Sequence, residues 1–273
     1  MSKKDIEKFQ KTIWDFYKHN KRNFPWRNTK NPYHILVSEI MLQQTQADRV
    51  VVFYQRWIKR FPTIASLAGV KFSEIYPFWQ GLGYNRRALA LQKTAQKVIK
   101  EFKGTLPSDI LLLEELPGIG PYTARAVSIF SFNTPVTCIE TNIRRVFIHE
   151  FFPQKEDVND KEILILAERA LDKKNSKEWH YALMDYGAYL KSQVPNPNRR
   201  HKNYTLQSKF EGSLRQIRGT TLRMLSGKSM DIKELSKRLK KATLQTPARI
   251  EKVILALEKE GLIKSNKKIY SLN

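Results

Sequence analysis

Leu116-Pro117-Gly118-Ile119-Gly120-Pro121 restricts this chain more than any other stretch, because it stands between two segments of helical period and only a tight turn suits it. Two glycines around one apolar residue let the backbone bend sharply and approach another group closely, a phosphate included. Pro121 suits the first turn of a helix that starts after Gly120. The free N–H groups and positive dipole end of such a helix favour an anion. The plainer reading is an ordinary corner between two packed helices.

Most of the remaining sequence also reads as helix broken by turns. Ile6, Phe9, Ile13, Trp14 and Tyr17 form a helical stripe, and apolar residues recur at helical spacing from Tyr33 to Arg60, where Phe61-Pro62-Thr63 stops them. Pro25 and Pro32 bracket an extended or turn segment. Further short helical periods lie at 64–67, 72–78, 86–102 and 109–116, so the main body is expected to be all-α. The polar, basic stretch 194–209 reads as a linker or irregular loop. Beyond it come helices at 214–225, 232–239 and 247–260, a Gly261 cap, and a strand pair around a Ser-Asn turn. Three helices and a hairpin outline a small winged helix, for which the bland alternative is a packing module that touches no nucleic acid.

Charge narrows the partners. There are 49 Lys and Arg against 26 Asp and Glu, a net +23, and a soluble basic chain usually meets a polyphosphate. No apolar run approaches the roughly 20 residues needed to span a bilayer, and the amino terminus has no secretory core, so a cytoplasmic protein is expected, nucleoid-associated if prokaryotic. The single cysteine, Cys138, excludes disulfides within the chain and any cluster held by four thiolates. In its apolar setting it reads as a small buried hydrophobe.

Two carboxylates stand out. Glu39 lies in an otherwise apolar helix, followed by the polar run Gln43-Gln44-Thr45-Gln46, whose side chains can bond base edges. Glu140 comes twenty residues after Gly120, in Ile139-Glu140-Thr141-Asn142-Ile143-Arg144-Arg145. It follows an apolar stretch and opens a basic helix, which by itself is the pattern of a helix cap.

Together, Phe24-Pro25-Trp26-Arg27, the Ser38–Gln46 run, Gly81-Leu82-Gly83-Tyr84, Leu116-Pro117-Gly118-Ile119-Gly120 and Met184-Asp185-Tyr186-Gly187-Ala188 resemble the mismatch adenine DNA glycosylase (MutY) family of the helix-hairpin-helix glycosylases. The match runs in order from about residue 8 to 193. The resemblance implies two α-helical subdomains with the base pocket between them. Here these would be a six-helix barrel at about 30–137 and a second subdomain from 1–29 and 138–206, followed by a winged-helix-like domain at 207–273. It further implies a monomer that acts on double-stranded DNA holding a mispaired or damaged base, in base excision repair.

Position by position, the resemblance gives Glu39 the role of the acid that protonates the leaving adenine. Glu140 stands where the family has an aspartate that stabilises the positively charged sugar, with the amide of Asn142 beside it. Tyr122 falls where bifunctional relatives place a Schiff-base lysine, so hydrolysis without strand cleavage is expected. Trp26, Arg27 and Asp185 match positions lining the base pocket. Gln43, Gln44, Thr45, Tyr84, Arg86, Gly118, Ile119, Gly120, Thr123, Arg199 and Arg200 are the expected DNA-contacting set, with Gln44 and Tyr84 wedged into the duplex. The Leu116–Gly120 carbonyls form a candidate monovalent-cation site.

The sequence departs from the family in three respects. The four cysteine ligands of its iron–sulfur cluster are missing, so no cofactor is expected. No counterpart of its separate 8-oxoguanine domain is expected either. Glu140 is one methylene longer than aspartate, where a misplacement of roughly 1 Å can cost on the order of 100-fold. Two further readings follow: a thymine or uracil mismatch glycosylase, and a catalytically weak protein that binds DNA damage.

Overall fold

The computed structural model describes residues 2–273. Among the described residues, eleven α-helices precede the basic stretch: α1 (Lys3–Asn20), α2 (Pro32–Leu42), α3 (Ala47–Arg60), α4 (Ile64–Ala68), α5 (Phe72–Trp79), α6 (Arg86–Glu101), α7 (Ile110–Glu114), α8 (Pro121–Phe132), α9 (Thr141–Phe151), α10 (Asp160–Ala170) and α11 (Ser176–Gln193). Three more helices and three strands follow: α12 (Leu214–Leu225), β1 (Met230–Asp231), α13 (Ile232–Thr243), α14 (Pro247–Lys259), β2 (Ile263–Asn266) and β3 (Ile269–Leu272). Among the described residues no helix is long and apolar enough to cross a membrane.

Contacts divide the chain into two units. The first takes residues up to Glu39, 107–115 and 119–206; the second takes 40–106, 116–118 and 207–273. Residues 30–39, 107–115 and 119–137, expected with the barrel, thus fall in the first unit, and the C-terminal helices group with 40–106.

In the first unit α11 packs on α9 and α1. Phe9 of α1 meets Phe147, Phe151 and Trp179 at ring distances of 5.5, 4.9 and 6.0 Å, aromatic pairs that add to the large apolar area each ring buries. Gly187 lets α11 approach the first turn of α9, since a Cβ there would stand 2.2 Å from the Asn142 carbonyl oxygen.

The second unit buries Trp57, Trp79, Phe61 and Tyr76. Its first surprise concerns the long stripe expected from Tyr33 to Arg60, which breaks between α2 and α3. Gln44 takes a left-handed φ of +55°, and Arg87 donates to the carbonyls of Ile40, Met41 and Gln43 at 2.7, 3.1 and 2.6 Å. A guanidinium from another helix satisfies the orphan carbonyls of the broken end, so local periodicity carries no sign of the break. The C-terminal part has the winged-helix arrangement, α12-β1-α13-α14-β2-β3, with antiparallel strand order β1-β3-β2. Its hairpin turns at Lys267 and Lys268, both at positive φ, rather than at Ser-Asn. The pairing of Asn266 with Ile269 leaves two residues for the loop. Asn273 accepts from the backbone of Ser73 at 2.8 Å, which ties this part to α5.

Candidate active site

Helix α2 carries Glu39 into the interior of the first unit, where the residue is only 5% exposed. The Tyr122 hydroxyl donates to Glu39 Oε2 at 3.1 Å. Tyr122 is placed by the hairpin: Gly118 sits at φ +79°, Gly120 is the N-cap of α8, and Pro121 opens the helix one residue before the tyrosine. Burial pushes the Glu39 carboxyl up to about 7; the Tyr122 hydrogen bond opposes that rise and the charge of Glu140 adds to it.

Glu140 is the N-cap of α9, and the cap and the site are the same geometry. Oε1 accepts from the backbone N–H groups of Asn142 and Ile143 at 2.7 and 2.8 Å, and Oε2 accepts from Asn142 Nδ2 at 3.1 Å. Arg145 Nη1 donates to Asn142 Oδ1 at 2.7 Å and to the Gly187 carbonyl at 2.6 Å, which fixes the amide's orientation. Burial raises the Glu140 carboxyl, while the two backbone donors, Arg145 and Arg144 pull it back down. Glu140 therefore has four influences that favour its charge where Glu39 has one. When a single proton is shared between them, Glu39 is the better holder and Glu140 the better anion.

Cys138 lies in the same electrostatic neighbourhood. Burial and the charges of Glu39 and Glu140 push its thiol well above its ordinary value, so it stays protonated and inert. Its backbone N–H donates to His180 Nε2 at 3.4 Å, and His180 Nδ1 is 2.7 Å from the Ser176 carbonyl. Burial holds that imidazole down to about 4, so it is neutral and structural.

Asp185, buried like Glu39, is clamped by cations. Arg27 donates to both of its oxygens at 2.8 and 2.7 Å, and Arg22 adds Nε at 2.6 Å and its backbone N–H at 3.0 Å. The Arg27 guanidinium is also sandwiched, 4.3 Å from the Tyr181 ring centre and 5.4 Å from that of Phe24, which stacks on Trp26. Both head groups at the expected pocket positions are thus committed to each other. Arg22 was absent from the expected set. It sits in the basic run Lys18-His19-Asn20-Lys21-Arg22, where nothing distinguishes it from a solvated cation. Arg145 was missed for the same reason.

The expected DNA-contacting residues fall into distinct settings. Gln43, Gln44 and Thr45 form the turn between α2 and α3, and Tyr84, at φ +46°, is 39% exposed in the loop before α6. Arg86 and Arg199 are exposed. Ile119 and Thr123 are buried. Thr94 Oγ1 donates to the Pro117 carbonyl at 2.7 Å. Arg200 spends its guanidinium on the carbonyls of Pro153 and Ile148 at 3.0 and 3.2 Å.

That last contact belongs to the segment where the family's cluster ligands would stand. Here Val158 bridges His201 as a short parallel pair, and Asn198 Nδ2 donates to the Thr141 carbonyl at 3.0 Å. The donor set is one cysteine, so a thiolate-held cluster does not fit. Among the described residues no group of three or more His, Cys, Asp or Glu could hold a metal ion.

A family model described as the HhH-GPD superfamily base excision DNA repair protein matches residues 37–172, the stretch that carries Glu39, the hairpin and Glu140. The chain belongs to this superfamily. It is 36% identical over 187 residues to the adenine DNA glycosylase of Buchnera aphidicola subsp. Baizongia pistaciae, covering 67% of this chain and 52% of the relative. It is 41% identical over 132 residues to the adenine DNA glycosylase of Mycobacterium tuberculosis, covering 48% and 43%. The chain thus spans about half the length of the curated relatives it matches. Among solved structures, a thermostable thymine-DNA glycosylase superposes with a TM-score of 0.63 at 29% identity, over 68% of this chain and 87% of that one.

Proposed function

We propose that this chain is a monofunctional DNA glycosylase that hydrolyses the N-glycosidic bond of a mispaired adenine in duplex DNA. The observation that carries the reading is the pairing of a buried Glu39, pushed up to about 7, with a Glu140 whose charge is held by two backbone N–H groups and Arg145. A purine leaves slowly until a ring nitrogen is protonated. Glu39 holds a proton near neutral pH and delivers it there. The C–N bond electrons pass to the base as the sugar becomes cationic, and the Glu140 carboxylate stabilises that charge. Water adds at the anomeric carbon and loses its proton. Tyr122 offers a phenol where a covalent lyase needs an amine, which supports base release without strand scission.

The excess positive charge supports duplex DNA as the partner, and the adenine names of the curated relatives support the base. We further infer that the chain works as a monomer without an iron–sulfur cluster; its hydrogen-bonded 197–201 segment supports the latter. The deciding experiment incubates excess protein with A:G, A:8-oxoguanine, G:T and G:U duplexes, then cleaves abasic sites with alkali. Product from the adenine duplexes only is expected. Release from G:T or G:U alone would replace adenine with a pyrimidine, and tight binding with no release from any duplex would leave a damage-binding protein.

A further inference from the structure

We propose that residues 207–273 form a second grip on duplex DNA, in which Lys237, Lys240 and Lys241 hold phosphates and Leu244 presses into the groove between base steps. This goes beyond the chemistry at Glu39 but rests on the reading that the chain binds duplex DNA. The segment carries sixteen Lys and Arg against six Asp and Glu, a far denser excess than the rest of the chain. The three lysines lie at i, i+3 and i+4 on α13, one face of a helix. With Leu244 and Gln245 they line a hollow of about 400 Å³. Among the described residues none of the three forms an ion pair, and the nearby Glu234 is taken by Arg238 at 2.5 Å.

Leu244 is the part that folding does not explain. It caps α13 at φ +53° and ψ 28°, a left-handed conformation that glycine or asparagine adopts far more readily. Its side chain is 88% exposed, so it contributes almost nothing to the core. An apolar tip held out among unpaired lysines is the arrangement that architectural DNA-binding proteins use, with cations on the backbone and a wedge between bases. The patch is also joined to Tyr84, the expected wedge of the same unit. Gln207 donates to the Tyr84 hydroxyl, Arg215 reaches it at 3.5 Å, and a Cβ on Gly212 would meet Gln245 Nε2 at 3.7 Å. Residues 207–212 therefore run from Tyr84 to the α13 cap, with Phe210 exposed between them.

The test uses the full chain, a fluorescein-labelled undamaged duplex, and anisotropy over a range of salt. Neutralising all three lysines (K237Q, K240Q and K241Q together) is expected to reduce the slope of log Kd against log salt by about 2 to 3, since each phosphate contact contributes about 0.9. Leu244→Asn is expected to weaken binding roughly tenfold at an unchanged slope, while its melting temperature holds or rises because Asn suits the left-handed cap. A triple variant with the wild-type slope, or a Leu244→Asn variant that binds like wild type, overturns the inference and leaves the catalytic reading standing. Failure of the wild-type chain to bind any duplex overturns both.

Discussion

Glu39 and Asp185 are both carboxylates in the interior of the first unit, and their surroundings are opposites. Asp185 accepts four hydrogen bonds from Arg22 and Arg27, two of them in a bidentate fork. Its charge is matched where it stands, and the pair links α11 to the turn after α1. Glu39 meets one phenol and a second acid. Its charge is opposed where it stands, so it keeps a proton that it can give away. Burial alone does not make an acid reactive; burial without a cation does.

The largest expected effect comes from removing the unmatched acid. Glu39→Gln should lower single-turnover excision by about 10²- to 10⁴-fold, the range for a general acid, measured with saturating enzyme on an A:8-oxoguanine duplex. The same variant should be more stable at alkaline pH. The folded value of about 7 lies above the ordinary 4.5, so the native chain retains a proton that the unfolded chain releases. Glu39 therefore lets stability fall as pH rises from about 4.5 through about 7, by roughly 3 kcal/mol in all. Gln carries no such loss. Denaturant melts should coincide at pH 4 and separate by pH 8; a variant less stable than wild type at pH 8 would break the comparison.

Asp185→Asn probes the matched acid. It leaves the buried Arg27 guanidinium without its anion, at a cost of about 3 to 5 kcal/mol, which lowers the melting temperature by on the order of 10 °C. Activity should fall in step with the folded fraction. Loss of excision with an unchanged melting temperature would instead place Asp185 in contact with the base.

These two sites were not equally legible in the sequence. Glu39 showed itself because an acid inside an apolar helix must have a partner or a purpose. Glu140 showed itself because a carboxylate before a basic helix reads as a cap, and the cap is what the structure holds. The glycines around Ile119 marked the hairpin. Arg22 and Arg87 were invisible because their acceptors lie tens of residues away, and Arg145, which joins Asn142 to the distant Gly187 carbonyl, likewise looks locally like a solvated cation. The break at Gln44 and the hairpin turn at Lys267-Lys268 escaped for a related reason: left-handed backbone on residues that do not prefer it is set by tertiary hydrogen bonds and strand register, not by local propensity.

Glu140 tests how far Glu39's isolation depends on its neighbour. Glu140→Gln keeps a cap but removes the charge, with an expected loss of about 10²-fold in rate. Since the Glu140 charge raises the Glu39 carboxyl, the alkaline limb of the pH–rate profile should also move to lower pH. Glu140→Asp keeps the charge, so the limb should stay near its wild-type position, and any rate change then reports only the lost methylene.

Tyr122→Phe should have the smallest effect and the opposite sign. The phenol donates to Glu39 Oε2 at 3.1 Å and favours the ionised carboxylate, so it is what holds the acid down against burial and Glu140. Without it the Glu39 carboxyl rises further, and the alkaline limb moves to higher pH by a fraction of a unit. The rate below that limb should fall by less than about tenfold, because the proton donor itself remains. Shifts in opposite directions for Glu140→Gln and Tyr122→Phe identify Glu39 as the titrating group. A shared direction, or no movement in either, assigns the limb to another residue and removes the basis for reading Glu39 as the acid.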